Sequence, residues 1–267
     1  MIHMKLAEAF AFSAPVVCAV ICMIMMLMDA HARRSNPVER RLRLFLAFAY
    51  LVSLLGWLGM VFFVLSPRVF VYYYTVFLLT LMLDQVMIYR FVSIITNTGE
   101  HPKFNRLHLI IPLLIIAVSA TGSLLVPVDR QMDIIYGDAG YNSWFRVMYV
   151  TATVIFVVYN SLYPALNLRN IRRYREFIVN YSADAYYTSL NWQTIIQVLI
   201  LVTVPLPFAG LLIGVPVAAV SSLLLFGALA YFINYLILCF NLLNSNYLII
   251  QPDALKNDSP SMAASID

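Results

Sequence analysis

One carboxylate lies deep within an apolar stretch of this sequence, and its position makes it the residue best suited to chemistry. Asp84 interrupts the run from Val69 to Val92 and is followed by Gln85. An ionisable group near the middle of a membrane helix costs about 2.5–3.5 kcal/mol on insertion scales, so Asp84 should face other helices and have a partner there. It is a candidate proton or cation site, or a switch element. The alternative is a structural carboxyl group that is hydrogen-bonded to polar side chains of other helices.

Polar side chains in the other apolar stretches are the candidate partners of Asp84. Hydrogen bonds between membrane helices contribute about 0.6 kcal/mol on average, which favours a packing role for these side chains. The alternative is that they line one cavity with the carboxylate. The candidate intramembrane site comprises Asp84, Gln85, Asn160, Gln197 and Asn234.

Missing residues exclude several enzyme classes. The three lysines (Lys5, Lys103 and Lys256) lie outside the apolar stretches, which excludes a retinal Schiff base. The sequence contains no HExxH, Walker A, GxSxG or CxxCH motif. Intramembrane aspartyl proteolysis needs paired carboxylates, and Asp84 is alone. We therefore expect no enzymatic activity, no catalytic residue, no cofactor and no metal site.

The three cysteines also lie in apolar runs and form no CxxC pair. They are Cys18, Cys22 and Cys239. We expect them to act as small buried hydrophobic residues rather than as a redox or metal site.

The composition predicts an all-α polytopic membrane protein. Hydrophobic residues make up 62% of the chain and charged residues 11%, against about 25% charged in ordinary soluble domains. Seven stretches approach the ~20 residues that cross ~30 Å of hydrocarbon as a helix. The sequence predicts one transmembrane domain, residues 1–247, a flexible tail or linker, 248–267, and a kink in the sixth span at Pro205 and Pro207. The predicted spans are residues 7–28, 44–65, 69–92, 109–126, 144–166, 192–213 and 217–243.

Basic residues are distributed unequally between the connections. Twelve of the 17 Lys and Arg residues, or 13 with Arg90, lie after the first, third and fifth spans and in the tail, and four lie on the other side. Because positive residues stay cytoplasmic, the N-terminus is predicted outside and the C-terminal tail in the cytoplasm.

Two clusters suit the two membrane surfaces. Three tyrosines at the outer start of span three are typical of an interfacial aromatic belt, and the alternative is an outer aromatic pocket for a ligand. They are Tyr72, Tyr73 and Tyr74. After span five, arginines alternate with apolar residues as in an amphipathic helix that contacts the lipids of the inner leaflet. They are Arg169, Arg172, Arg173 and Arg175.

The layout as a whole resembles a known group of regulators. Seven spans occur in order, with basic connections at 33–43 and 169–175, and the last span ends in a polar exit with Asn241, Asn244, Asn246 and Tyr247. Over nearly its whole length the chain resembles the N-terminal membrane region of bacterial AraC-type helix-turn-helix regulators. In that family a linker leads into a cytoplasmic DNA-binding domain, which these 267 residues do not contain. The resemblance implies a sensor and assigns no role to any single residue.

These features predict a sensor or anchoring domain in the bacterial inner membrane that signals to a cytoplasmic output. The resemblance implies that this output is transcription regulation by a helix-turn-helix domain outside this chain. Two alternatives stay open, a small transporter or channel with Asp84 as its proton or ion site and a passive membrane scaffold. The expected partners are the lipid bilayer, an unidentified small ligand and a second copy of the chain in a homodimer. We expect no nucleic acid to bind these residues.

Overall fold

The described residues form helices that are long and apolar enough to cross a membrane. A computed structural model describes residues 2–97, 105–136, 144–178, 189–212 and 217–247, with nine helices and no strand among them. Seven candidate spans occur, as the sequence predicts, and the chain is a multi-pass membrane protein. The predicted tail at 248–267 lies outside the described residues. The helices are α1 (Ile2–Ala32), α2 (Pro37–Leu65), α3 (Pro67–Ile95), α4 (Leu107–Leu125), α5 (Val128–Tyr136), α6 (Trp144–Ile178), α7 (Asn191–Thr203), α8 (Pro205–Leu212) and α9 (Val217–Leu243).

The prolines of the sixth span divide it in two, which confirms the predicted kink. Helix α7 ends at Thr203 and α8 begins at Pro205, because proline cannot donate the backbone hydrogen bond that would continue α7. Pro164 does not end a helix. It lies inside α6, which continues to Ile178. Interior prolines are tolerated in membrane helices where neighbouring groups satisfy the freed carbonyl.

Helix α5 is an element that hydropathy does not reveal, because it is short and polar. Its Gln131 is buried, and the side-chain amide donates to the carbonyls of Ser123, at 2.8 Å, and Val126, at 2.6 Å. These carbonyls lie at the C-terminal end of α4, where the last turn of a helix has no partner of its own. Helix α5 therefore caps α4.

Capping residues make the turns between the first three spans short. Asn36 precedes Pro37, and its side-chain oxygen accepts from the Glu39 amide at 3.2 Å. Ser66 separates α2 from α3, and Pro67 occupies the first turn of α3, where a missing N–H costs little. Helices α1, α2 and α3 therefore follow one another as adjacent antiparallel spans.

Two faces of the bundle follow from this alternation. The basic face is the one where α1, α3, α6 and α9 end, and it carries the arginines at 33–43 and 169–175. The opposite face is where α2 and α4 end and where α5 lies. Helix α9 packs against α1, α7 and α8.

Small residues on α2 allow α3 to approach closely. A methyl group built at Gly59 would lie 2.5 Å from Cδ2 of Phe77, whereas one built at Gly227 would lie 3.6 Å from the Thr203 carbonyl oxygen. The first distance is a clash with a buried ring, and the second is ordinary contact. The Gly56/Gly59 patch therefore serves close helix packing, the role that small residues often have in membranes.

Gly59→Ala should lower the free energy of unfolding by about 1–3 kcal/mol, because it overpacks the α2–α3 contact. Thermal unfolding of the purified chain in detergent measures this. Gly227→Ala is the matched control and should be neutral or slightly stabilising. Equal stability of the two variants would contradict the close approach of α3 to α2.

Candidate functional site

The carboxylate in the third span has a partner on the second. Asp84 is 5% exposed, and the Ser53 hydroxyl donates to its Oδ1. Ser53 lies three residues before Gly56, on the α2 face that packs against α3. Close packing of the two helices therefore brings a serine hydroxyl within reach of a carboxylate that lipid cannot solvate.

A small cavity of about 30 Å³ adjoins Asp84. Its lining is mostly apolar and includes the side chains of Tyr50, Gln193 and Tyr235 besides Ser53 and Asp84. A site of this size accommodates about one water molecule. The surroundings of the carboxylate therefore suit a proton or a single water and are too small for an organic substrate.

Helix α9 contributes aromatic side chains on the other side of this cluster. The Gln85 amide donates to the Tyr231 hydroxyl at 3.1 Å, and the Tyr50 hydroxyl donates to the Tyr235 carbonyl at 3.3 Å. The Trp57 and Tyr231 rings meet edge to face, with 5.1 Å between their centroids. Such contacts contribute about 0.5–1.5 kcal/mol beyond burial. The central cluster, comprising Ser53, Asp84, Gln85, Tyr231 and Tyr235, thus joins α2, α3 and α9.

The other three predicted members of this site do not line the cavity at Asp84. Gln197 accepts a hydrogen bond at 3.0 Å from Asn167 on α6, which joins α6 to α7. The Asn160 amide donates to the Phe156 carbonyl of its own helix at 2.9 Å. Asn234 is buried next to Tyr235 in sequence but is not in the cavity wall. Of the predicted set, the structure brings Asp84 and Gln85 together in the central cluster.

The three tyrosines near the start of α3 point in different directions. Tyr72 is 75% exposed, as an interfacial anchor should be. The Tyr73 hydroxyl donates to the Leu55 carbonyl at 2.8 Å, and Tyr74 is buried beside Tyr149 with 5.5 Å between ring centroids. Only Tyr74 of the three lines a cavity among the described residues.

That cavity is apolar and lies towards the opposite face. It measures about 60 Å³, and a second cavity of about 40 Å³ adjoins it. Thr153 and the hydroxyls of three tyrosines are the polar groups of the first wall, and the kink residues Val204 and Pro207 line the second. Residues shared by both walls, which come from α2, α3, α6, α8 and α9, are Met60, Leu81, Phe156, Phe208 and Leu224.

Tyr136 of α5 lines this apolar cavity at the face opposite the basic one. Its hydroxyl donates to the Phe63 carbonyl at 2.9 Å, and the two rings stack with 5.0 Å between centroids. Burial raises the pKa of Tyr136 above its ordinary value, so the phenol is neutral at physiological pH. Helix α5 thereby contributes an uncharged wall.

At the basic face, Arg43 joins the first, second and last spans. Its side chain is fully buried, with Nε donating to Asp29 at 2.6 Å and Nη2 donating to the Leu242 carbonyl at 2.5 Å. The guanidinium carbon lies 5.4 Å from the centroid of the Tyr247 ring. A cation is favourable at the C-terminal end of a helix, where backbone carbonyls have no intrahelical partner.

A second contact holds the same end of α9. The Trp192 indole donates to the Asn246 carbonyl at 3.0 Å. The backbone turns there at Ser245, whose φ of 53° is left-handed, and the Asn246 amide donates back to the Asn241 carbonyl at 2.9 Å. We call the Arg43 and Trp192 contacts to α9 the exit clamp.

The four arginines after span five have separate roles. Arg175 donates to the Ser189 carbonyl and to the Thr194 hydroxyl, both at 2.6 Å, so it ties α6 to α7, a role that the sequence did not predict for this residue. Arg172 pairs with Glu176 at 3.3 Å on the exposed surface. Arg169 and Arg173 are exposed and form no ion pair among the described residues.

All three cysteines are buried and free, as the sequence predicts. The Cys18 and Cys22 sulfurs are 3.9 Å apart, and the Cys22 thiol donates to the Tyr235 carbonyl at 3.7 Å. Within the described ranges, no group of three or more His, Cys, Asp or Glu side chains has an arrangement that would hold a metal ion. The thiols therefore act in the packing of α1 against α9.

Comparison with known proteins gives no relative. No protein-family model, no curated protein and no solved structure matches this chain.

Sequence reasoning missed Ser53, Arg43 and the tyrosines of α9 as parts of these sites. Ser53 extends the small-residue stripe of Gly56 and Gly59 by one turn, and this spacing is a usable signal. Arg43 directly precedes the second apolar stretch, and Asp29 directly follows the first, which is the pattern expected of a pair buried at a membrane boundary. Nothing in the sequence distinguishes Tyr231 and Tyr235 from other aromatic residues of the spans.

Ser53→Ala and Asp84→Ala, alone and combined, should show a coupling free energy of about 0.6–1.7 kcal/mol, because each removes a partner of the same hydrogen bond. Unfolding of the four proteins in micelles gives this value. The control cycle pairs Asp84→Ala with Ser119→Ala, a buried serine of α4, and should be additive. Additivity in the first cycle would show that the Ser53 bond is not formed.

Arg43→Gln should destabilise the chain by on the order of 3 kcal/mol, because Asp29 and the end of α9 lose a buried cation. Arg41→Gln removes the same charge from an exposed neighbour and should change stability by no more than about 0.5 kcal/mol. Differential scanning fluorimetry compares them. Melting temperatures of both variants equal to that of the wild type would contradict the exit clamp.

Proposed function

We propose that this chain is a membrane-embedded sensor domain that signals to a cytoplasmic output through its last helix. The stimulus acts within the apolar cavities, and the signal leaves where α9 ends. In this mechanism the bundle has two packings of α9, and a stimulus shifts their populations because it binds the two differently. No chemical step by the domain is needed.

One observation carries the proposal, namely that a single helix contacts all three features described above. Leu224 and Tyr231 of α9 line the apolar cavities, Tyr235 and Leu238 line the cavity at Asp84, and Leu242 accepts the Arg43 hydrogen bond. A rigid helix transmits a displacement at one end to the other. A passive scaffold has no need for cavities beside such a helix.

The break in the sixth span supports the same mechanism. Val204 and Pro207 line the cavity wall, and the Phe156 and Phe208 rings meet there with 4.6 Å between centroids. A proline break leaves a helix with fewer backbone hydrogen bonds and makes it a hinge. The hinge and α9 therefore face the same cavity, so a stimulus that changes the packing there would act on both.

The charge distribution supports an orientation in which the basic face is cytoplasmic. The connections after the first, third and fifth spans carry most of the arginines, and the exit clamp lies at the same face of the bundle. The location that fits this orientation is a bacterial inner membrane, and the output that the resemblance to AraC-type regulators implies is transcription control by a helix-turn-helix domain. DNA binding would belong to that domain, not to these residues.

The surroundings of Asp84 favour a sensor over a transporter of organic solutes. The adjoining cavity has about 30 Å³, and the carboxylate is hydrogen-bonded to Ser53. We propose that Asp84 holds α2, α3 and α9 in register. A proton or ion pathway through Asp84 is the rival, and it predicts flux that the sensor does not.

Leu224→Trp should alter amide hydrogen exchange at residues 241–247, because filling the cavity biases α9 and thereby the exit clamp. Coupling between distant sites is typically about 1–3 kcal/mol, so exchange should change about fivefold or more. Mass spectrometry of the purified chain in lipid nanodiscs measures it.

Leu223→Trp is the matched control, because the side chain of Leu223, which precedes Leu224, is 42% exposed on the outside of the bundle. It should leave exchange at 241–247 unchanged. Identical exchange in both variants would favour a passive scaffold. Ion flux in proteoliposomes that disappears in Asp84→Asn would overturn the proposal in favour of a transporter.

A further inference from the structure

A polar cleft lies between α3 and α6 at the basic face, away from the sites described above. It measures about 290 Å³ and is lined by side chains on one stripe of each helix. Ser93 comes from α3, Thr96 and Asn97 directly follow the last residue of α3, and Asn170 and Arg173 come from α6. The spacing of three residues places Asn170 and Arg173 on one face of α6.

The wall of this cleft is chemically one-sided. It presents one guanidinium, two side-chain amides, two aliphatic hydroxyls and two tyrosines, and no described wall residue is acidic. The Thr96 hydroxyl donates to the Val92 carbonyl at 2.7 Å, so the donors facing the cleft are those of Ser93, Asn97, Asn170 and Arg173. Among the described residues these four side chains form no salt bridge or side-chain hydrogen bond. An anion is the ligand that such a set recognises.

The depth of the cleft identifies the kind of anion. Arg173 lies seven residues beyond Leu166, where the apolar run of α6 ends. At 1.5 Å per residue this is roughly 10 Å past the hydrocarbon, within the headgroup layer. Phe177 and Tyr174 continue the wall with apolar surface. A phosphate group held by a planar guanidinium and amide donors is the chemistry that fits.

We propose that the cleft between α3 and α6 binds a phosphate group, with Arg173 as its cation and Asn97, Asn170 and Ser93 as neutral donors. The source is either the headgroup of an anionic phospholipid or a soluble phosphate. This site is independent of the proposed sensor mechanism. The proposed site differs from general attraction of the basic helix to lipid, because only Arg173 of the four neighbouring arginines would bind the phosphate.

Native mass spectrometry of the purified full chain in a neutral detergent tests the site, with phosphatidylglycerol as the probe. Arg173→Gln should weaken binding about tenfold, because a hydrogen bond to a charged group contributes about 1.5–3 kcal/mol. Arg172→Gln removes the same charge one residue away, outside the cleft, and should bind as the wild type does. Arg173→Lys should recover part of the affinity, since it keeps the charge and loses the planar fork.

A parallel titration with inorganic phosphate distinguishes the source. Arg173-dependent binding of phosphatidylglycerol alone assigns a lipid headgroup, and Arg173-dependent binding of inorganic phosphate assigns a soluble ligand. Asn170→Leu is a second variant that leaves every charge in place and should also weaken binding. Equal weakening by Arg173→Gln and Arg172→Gln would overturn the proposal in favour of diffuse charge attraction, and so would no effect of either.

Discussion

Lipid offers no hydrogen bonds, so a polar side chain within the bundle is stabilised by a partner on another helix or on its own backbone. This constraint determines which helices touch in this protein. The Ser53–Asp84 bond fixes α2 against α3, the Asn167–Gln197 bond fixes α6 against α7, and Arg43 fixes the end of α9 against α1 and α2. Apolar packing fills the space between these contacts but does not by itself select neighbours among equally greasy helices.

Helix α9 takes part in several of the features described above. It supplies tyrosines to the central cluster, a wall to the apolar cavities and a carbonyl to Arg43. Its C-terminal turn is held from two sides, by Arg43 and by Trp192. A helix held at one end and bordered by cavities at the other is suited to exist in two positions, which is why we assign it the signalling role.

Hydropathy was sufficient to predict the number of spans, and Pro205 and Pro207 were sufficient to predict the break in the sixth, because both depend on local sequence. The rotation of each helix about its own axis was not predictable, and it decides which polar residues meet. Asn160 and Gln197 lie within spans as expected. However, Asn160 bonds to the backbone of its own helix and Gln197 bonds to Asn167 of α6, so neither meets Asp84. The sequence predicts that Arg175 contacts lipid. Its hydrogen bond to the Ser189 carbonyl depends on where α7 begins, at Asn191, which the sequence did not predict.

The account depends most on the basic face, with the end of α9, being cytoplasmic. Paired fusions of alkaline phosphatase and green fluorescent protein after Asp267, expressed in a bacterial host, test this directly. We predict a fluorescent protein fusion that is bright and a phosphatase fusion that is inactive. An active phosphatase with a dark fluorescent fusion would place the end of α9 outside the cell membrane and contradict the account.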